Sequence, residues 1–224
     1  MHKETVLKWL KWILILSIAH LAFIYAVPNN SAYVWRQWVL YAISAAKLYC
    51  FFHLMHSNKH YSRAVIFMII ELVMSIASHL VTTVFFEDMI QLLCQINPAY
   101  EQYSSYSYLS VVTTPLSVIG MIAAFLGYIF ELWAHSTLVA PFDEVLAKKW
   151  KYLLLWNLGA GLISSMLSAI LVTLQQTSVL DMTMYQKLYP LVNLPTIAIQ
   201  VLYMLYLWRT MQKINTKEEM SDGK

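Results

Sequence analysis

The stretch Ala64–Phe86, AVIFMIIELVMSIASHLVTTVFF, decides the fold. It is longer than the ~20 apolar residues that a helix needs to cross a ~30 Å hydrocarbon core, and Glu71 is its one charged residue. A membrane β-strand would alternate polar and apolar side chains over about ten residues, and that pattern is absent here. A helix is therefore required, since hydrocarbon offers backbone groups no other partners. On a helix, Glu71, Ser75, Ser78, His79 and Thr82 recur at i, i+3 and i+4 spacing and share one face, which must point away from lipid.

Five further segments resemble it in length and apolar content: Leu10–Val27, Trp38–Leu54, Leu109–Phe130, Tyr152–Leu174 and Leu188–Trp208. The expected fold is all-α, a polytopic membrane helical bundle of about six transmembrane helices over residues 1–212, with a short polar cytoplasmic tail over 213–224. The second span is the shortest, and the sixth contains Pro190 and Pro195. Composition agrees: 59% of the 224 residues are hydrophobic and 12% charged, about half the charged share of a water-soluble domain. A net charge of +3, spread along membrane-flanking segments, excludes nucleic acid as a partner. Cys50 falls in a span and Cys94 in an outer loop, so no disulfide framework is indicated.

Orientation follows from Lys and Arg, which translocated loops avoid. With the amino terminus inside, twelve of the fifteen basic residues are cytoplasmic, Lys47 lies within a span, and the outer side receives only Arg36 and Lys187. The chain is thus expected to be N-in/C-in, multi-pass, in the cell membrane. The basic start (Lys3, Lys8, Lys11) and apolar run up to Val27 superficially resemble a secretory signal. The run is too long and lacks a small-x-small site before Pro28, so it reads as an uncleaved first span.

Two connections are longer than a turn. Glu87–Tyr108 combines Glu87, Asp88 and Glu101 with a Tyr/Ser run (Tyr100, Tyr103, Ser104, Ser105, Tyr106, Ser107, Tyr108) and no Lys or Arg, which suits a headgroup-level aromatic belt or a lid. Glu131–Lys151 combines polar Asp143, Glu144, Lys148, Lys149 and Lys151 with apolar Leu138, Val139, Phe142, Val145, Leu146 and Trp150. It reads as an amphipathic piece on the inner surface, either filler or a docking point for a cytoplasmic coupling subunit.

Ionisable groups inside spans cost ~3 kcal/mol on insertion scales and are functional candidates by default. His20 lies nine residues beyond Lys11, Glu71 eight beyond Arg63, Lys47 ten before Ser57, and Gln200 nine before Arg209. At ~1.5 Å per residue all four sit roughly 12–15 Å from the cytoplasmic edge. Either this layer, with Ser75, His79 and Asn193, lines a cavity for a small polar solute, or Lys47 and Glu71 form a structural latch between neighbouring helices. Pro115, and Pro190 and Pro195 around Asn193, mark helix interruptions that either bind substrate or merely kink. Gly120, Ala124 and Gly127, and Gly161, Ser165 and Ala169, present small faces suited to close helix packing.

Other chemistries lack their residues. No HExxH, GxSxG or Walker glycine loop occurs, so no ATP is used by this chain itself. His20 has no partner histidine at matched depth for haem. His53, His56 and His60 are loosely spaced for a metal, and no cofactor is expected. Glu131 and His135, four apart, could form an acid/base couple at the inner interface. The expected function is transport of a small solute, alone or as the membrane component of a transport complex. The alternatives are an intramembrane enzyme acting on a lipid-type substrate through Glu131/His135 or Glu71/His79, and a non-catalytic assembly or immunity factor.

Overall fold

A computed structural model describes residues 3–27, 35–96, 105–177 and 179–219. Their regular structure is helical throughout: α1 (Lys3–Ala26), α2 (Trp35–Leu54), α3 (Lys59–Thr83), α4 (Phe86–Ile96), α5 (Ser105–Val139), α6 (Glu144–Gln176), α7 (Met182–Leu188), a 3-10 helix (Tyr189–Asn193) and α8 (Leu194–Glu219). Five stretches are long and apolar enough to cross a membrane: Lys3–Ala26, Lys59–Thr83, Ser110–Val139, Glu144–Gln176 and Met182–Thr216. Large apolar side chains stand exposed along them, Ile18, Ile66, Val73, Met121, Leu162 and Met166 among them, a distribution that lipid accepts and water penalises. The chain is an all-helical, multi-pass membrane protein. The expected second span, α2, is not among the five, because Arg36, Gln37, Lys47 and His53 dilute its apolar content.

The chain divides into two compact units, Val27–Glu131 and Met1–Ala26 with Leu132–Lys224. In the first, α2 and α3 form an antiparallel hairpin. Asn58 caps α3 by accepting the amide N–H groups of His60 and Tyr61 at 2.9 and 3.2 Å, which stops the chain from continuing α2. The fully buried Phe51 and Tyr61 close the turn, their ring centroids 5.9 Å apart. Further along, the Tyr41 hydroxyl donates to the Ser75 carbonyl at 3.0 Å, and Trp38 sets its edge against His79 at 5.4 Å. Helix α5 packs on α3 through Gly120 and Gly127, where an added Cβ would meet the Cβ of Met74 and of Phe67 at 3.4 Å.

In the second unit, α1 buries Leu10 and Ile13 completely. The end of α5, α6 and α8 build a core of Leu132, Trp150, Leu153 and Leu207. Asp143 caps α6 by accepting from the Leu146 N–H at 2.9 Å and pairs with Lys213 at 3.2 Å. The Ser136 hydroxyl donates to the Ala147 carbonyl at 2.8 Å, which ties the two arms of the turn between α5 and α6.

Both long connections, and the tail, take forms of their own. Glu131–Lys151 is no separate surface piece: it is the end of α5, a turn, and the start of α6. Its apolar members Val139, Leu146 and Trp150 are buried in protein, because the periodicity that suits a membrane surface equally suits a helix end against its neighbours. Within Glu87–Tyr108, residues up to Ile96 form α4, with Glu87 and Asp88 in its first turn, where the helix dipole favours acids. Tyr100, Glu101, Tyr103 and Ser104 of the predicted belt lie outside the described residues, and Ser105–Tyr108 open α5. The polar tail from Lys213 is helical to Glu219, held by the buried Ile214 and the Lys213–Asp143 pair.

The glycine faces also differ from one another, since Gly159 and Gly161 on α6 face open space while Gly127 does not. Gly127→Leu should destabilise the protein by about 1–3 kcal/mol through overpacking. Gly161→Ala should be neutral or stabilise by up to about 1 kcal/mol through helix propensity. Thermal unfolding in detergent measures both.

The Asp143 carboxyl is held below its ordinary pKa by the Leu146 N–H, against an opposing effect of partial burial, with help from Lys213. The stability it contributes is therefore complete above the ordinary aspartate pKa of about 3.9 and is lost as pH falls through the lower folded value. The melting temperature should drop on acidification below about pH 4, and Asp143→Asn, which keeps the cap, should flatten that part of the slope.

Candidate functional site

Within the unit Val27–Glu131, helices α2, α3 and α5 surround a cavity of about 460 Å³. Its α3 wall is the polar stripe: Glu71, Ser75, Ser78, His79 and Thr82, with Met74 beside them. Gln37 and Tyr41, one turn apart, line it from α2, and Leu116, Ser117, Gly120, Met121 and Ala124 from α5. The lining therefore carries one carboxylate and neither Lys nor Arg. The absent side chain at Gly120 lets α5 approach α3 closely at Met74.

The hydroxyl groups have defined directions. Gln37 hydrogen-bonds the Tyr41 hydroxyl, whose own proton goes to the Ser75 carbonyl, so the Gln37 amide must be the donor. The Thr82 hydroxyl donates to the carbonyls of Ser78 and His79, both at 3.0 Å, the back-bonding common in membrane helices. The His79 ring meets the edges of Trp38 at 5.4 Å and Tyr41 at 5.8 Å. Its Nε2 is enclosed without a hydrogen-bond partner among the described residues.

Glu71 is half-buried; Lys47 attracts its carboxylate and Glu131 repels it. The contacts of Tyr41 with Ser75 and of Trp38 with His79 fix the hairpin register, which carries Lys47 to within about one turn of the level of Glu71. Lys47 itself is half-buried on α2, outside the cavity lining.

Of the seven candidate residues, the structure thus brings Glu71, Ser75 and His79 to one cavity and sets Lys47 near it. His20, Asn193 and Gln200 belong to the other unit. His20 is half-buried on α1, and Gln200 is exposed on α8. Asn193 ends the 3-10 helix, where its carbonyl accepts the Thr196 hydroxyl at 2.8 Å. Pro190 and Pro195 stand in the first turns of the 3-10 helix and of α8. A missing N–H has least effect there, so the interruption is a junction of two helices. Gln37 and Tyr41 were not singled out by sequence because Gln37 precedes the apolar run that begins at Trp38. Ser117 carries a readable signal, since it shares a face with Gly120 and Ala124.

The Glu131/His135 pair occupies a different setting from the one expected. Both are buried, at 6% and 0% exposure, so neither is presented at an interface. His135 stacks on Trp150 at 4.6 Å and 26°, and its Nε2 lies 3.4 Å from the Tyr203 hydroxyl. Trp150 Nε1 in turn donates to Thr210 Oγ1 at 3.0 Å. This is a packed polar core with each ring held by a neighbour, and a lipid substrate has no approach to the imidazole. Among the described residues, no group of three His, Cys, Asp or Glu side chains is placed to hold a metal ion.

Trp150→Ala, which empties the centre of that core, should cost about 3–5 kcal/mol, and Trp150→Phe, which mainly leaves Thr210 unpaired, about 1–2 kcal/mol; chemical unfolding in mild detergent resolves the two. No protein-family model matches this sequence, and neither a curated protein nor a solved structure shows detectable similarity to it.

Proposed function

We propose that this chain is a six-span protein of the cell membrane, with both termini cytoplasmic, that binds a small polar solute in the α2–α3–α5 cavity and moves it across the bilayer. The observation that carries this reading is the helical stripe Glu71, Ser75, Ser78, His79 and Thr82 lining a cavity whose α2 wall is also polar. Hydrocarbon penalises every one of these groups, and a polar solute is what such a lining serves. Counting α2 as the sixth span is supported by its length of 20 residues, about 30 Å of helix, and by the one-sided distribution of Lys and Arg. On this topology an energy-coupling subunit would attach at the exposed turn around Pro141, beside Lys148 and Lys149.

Flux of a panel of small polar solutes into vesicles holding the purified protein tests the function. The wild type should admit at least one solute that empty vesicles exclude, and Glu71→Gln should reduce that flux about tenfold or more, as loss of a charge-assisted contact implies. Unchanged flux in both Glu71→Gln and Lys47→Met would remove the cavity from the pathway.

The native cysteines report topology. Cys94, half-exposed on α4, should react with an impermeant maleimide on intact cells, and the buried Cys50 should not. Labelling of Cys94 only after permeabilisation would invert the orientation.

A further inference from the structure

We infer that the solute taken by this cavity is a small organic cation, a primary ammonium group on a short hydrocarbon body. The inference rests on the reading of the cavity as a solute site and names its chemistry from the directions of the hydrogen bonds in its wall.

A hydroxyl group offers one proton and two lone pairs. The Thr82 proton is committed to the carbonyls of Ser78 and His79, so toward any ligand Thr82 presents an acceptor. The Tyr41 proton is likewise committed, to the Ser75 carbonyl. Gln37 uses one amide N–H on Tyr41 and keeps its carbonyl oxygen as an acceptor and its second N–H as a donor. The hydroxyls of Ser75, Ser78 and Ser117 and the His79 ring can serve as donor or acceptor, so the sign is set by Glu71, the one carboxylate in a wall that contains no Lys or Arg. The matching ligand brings several N–H donors and a positive charge, and an alkylammonium head has three donors. An anionic ligand would meet one carboxylate and these inward lone pairs.

The rest of the lining fixes the other half of the ligand. Leu116, Gly120, Met121 and Ala124 on α5, with Ser117 the one hydroxyl among them, form a mainly apolar side facing the α2 and α3 groups, a surface for a hydrocarbon body. Lys47, outside the lining but within electrostatic reach of Glu71, is the resident cation whose role the ligand head would share.

Calorimetric titration of the purified protein in nanodiscs with n-butylammonium, 1-butanol and butyrate tests this. Butylammonium should bind saturably, and butanol and butyrate at least about tenfold more weakly. Glu71→Gln should weaken butylammonium about tenfold or more, and Thr82→Val, which leaves the helix intact, several-fold. Equal binding of butyrate or butanol would overturn the cationic class while leaving the cavity a solute site. No binding of any of the three, with Glu71-dependent flux of another solute, would overturn the ammonium class alone. No binding and no flux would overturn both readings.

Discussion

Hydrocarbon solvates no polar group, and each organised feature of this protein answers that constraint. Backbone amides meet it by forming helices. Polar side chains meet it by turning inward, and an inward polar face forces its helix to find neighbours. Helix α3 shows the sequence of causes: the carboxylate, hydroxyl and imidazole groups of its stripe cannot face acyl chains. They turn toward α2 and α5, and the three helices line an open polar recess. The glycines at 120 and 127 then decide how closely α5 can approach.

The two units answer the same constraint in opposite ways. In Met1–Ala26 with Leu132–Lys224, the side chains of His135 and Tyr203, and of Trp150 and Thr210, hydrogen-bond in pairs, and the result is a closed core. In Val27–Glu131, the hydroxyls of Tyr41 and Thr82 are tied back to an adjacent or their own helix, and both residues line a space that protein atoms leave unfilled. His79 Nε2, enclosed without a hydrogen-bond partner among the described residues, carries an uncompensated desolvation of about 1–3 kcal/mol. That is tolerable at a site with a use for it, and it has no parallel in the His135 cluster, where the tryptophan and tyrosine hold the ring from two sides.

What could be read from the sequence was what period and composition encode. The α3 stripe was legible because five polar residues at helical spacing stand out in an otherwise apolar run. The helical class and the five longest spans were legible from length alone. Depth counting gave the level of Lys47 and Glu71 within a turn, but could not tell which groups share a space, because depth says nothing of azimuth. It therefore grouped His20 and Gln200 with residues of a different unit. The amphipathic stretch at Glu131–Lys151 was misplaced for a related reason, since periodicity reports that one side is buried and not what buries it. The helix beyond Lys213 was not legible in the polar tail because its partner Asp143 is seventy residues away, beyond the reach of any local rule.

The carbonyl of His79 accepts two side-chain hydroxyls, from Thr82 at 3.0 Å and Thr83 at 2.7 Å. Sharing one acceptor in this way weakens the backbone bond that a helix normally makes there and favours curvature. The end of α3 that meets α4 therefore carries a local bias toward bending, and there the Val84 and Phe85 N–H groups both reach the Leu80 carbonyl. A bend at this point would displace Thr82, close to the turn, more than Glu71, about three helical turns away.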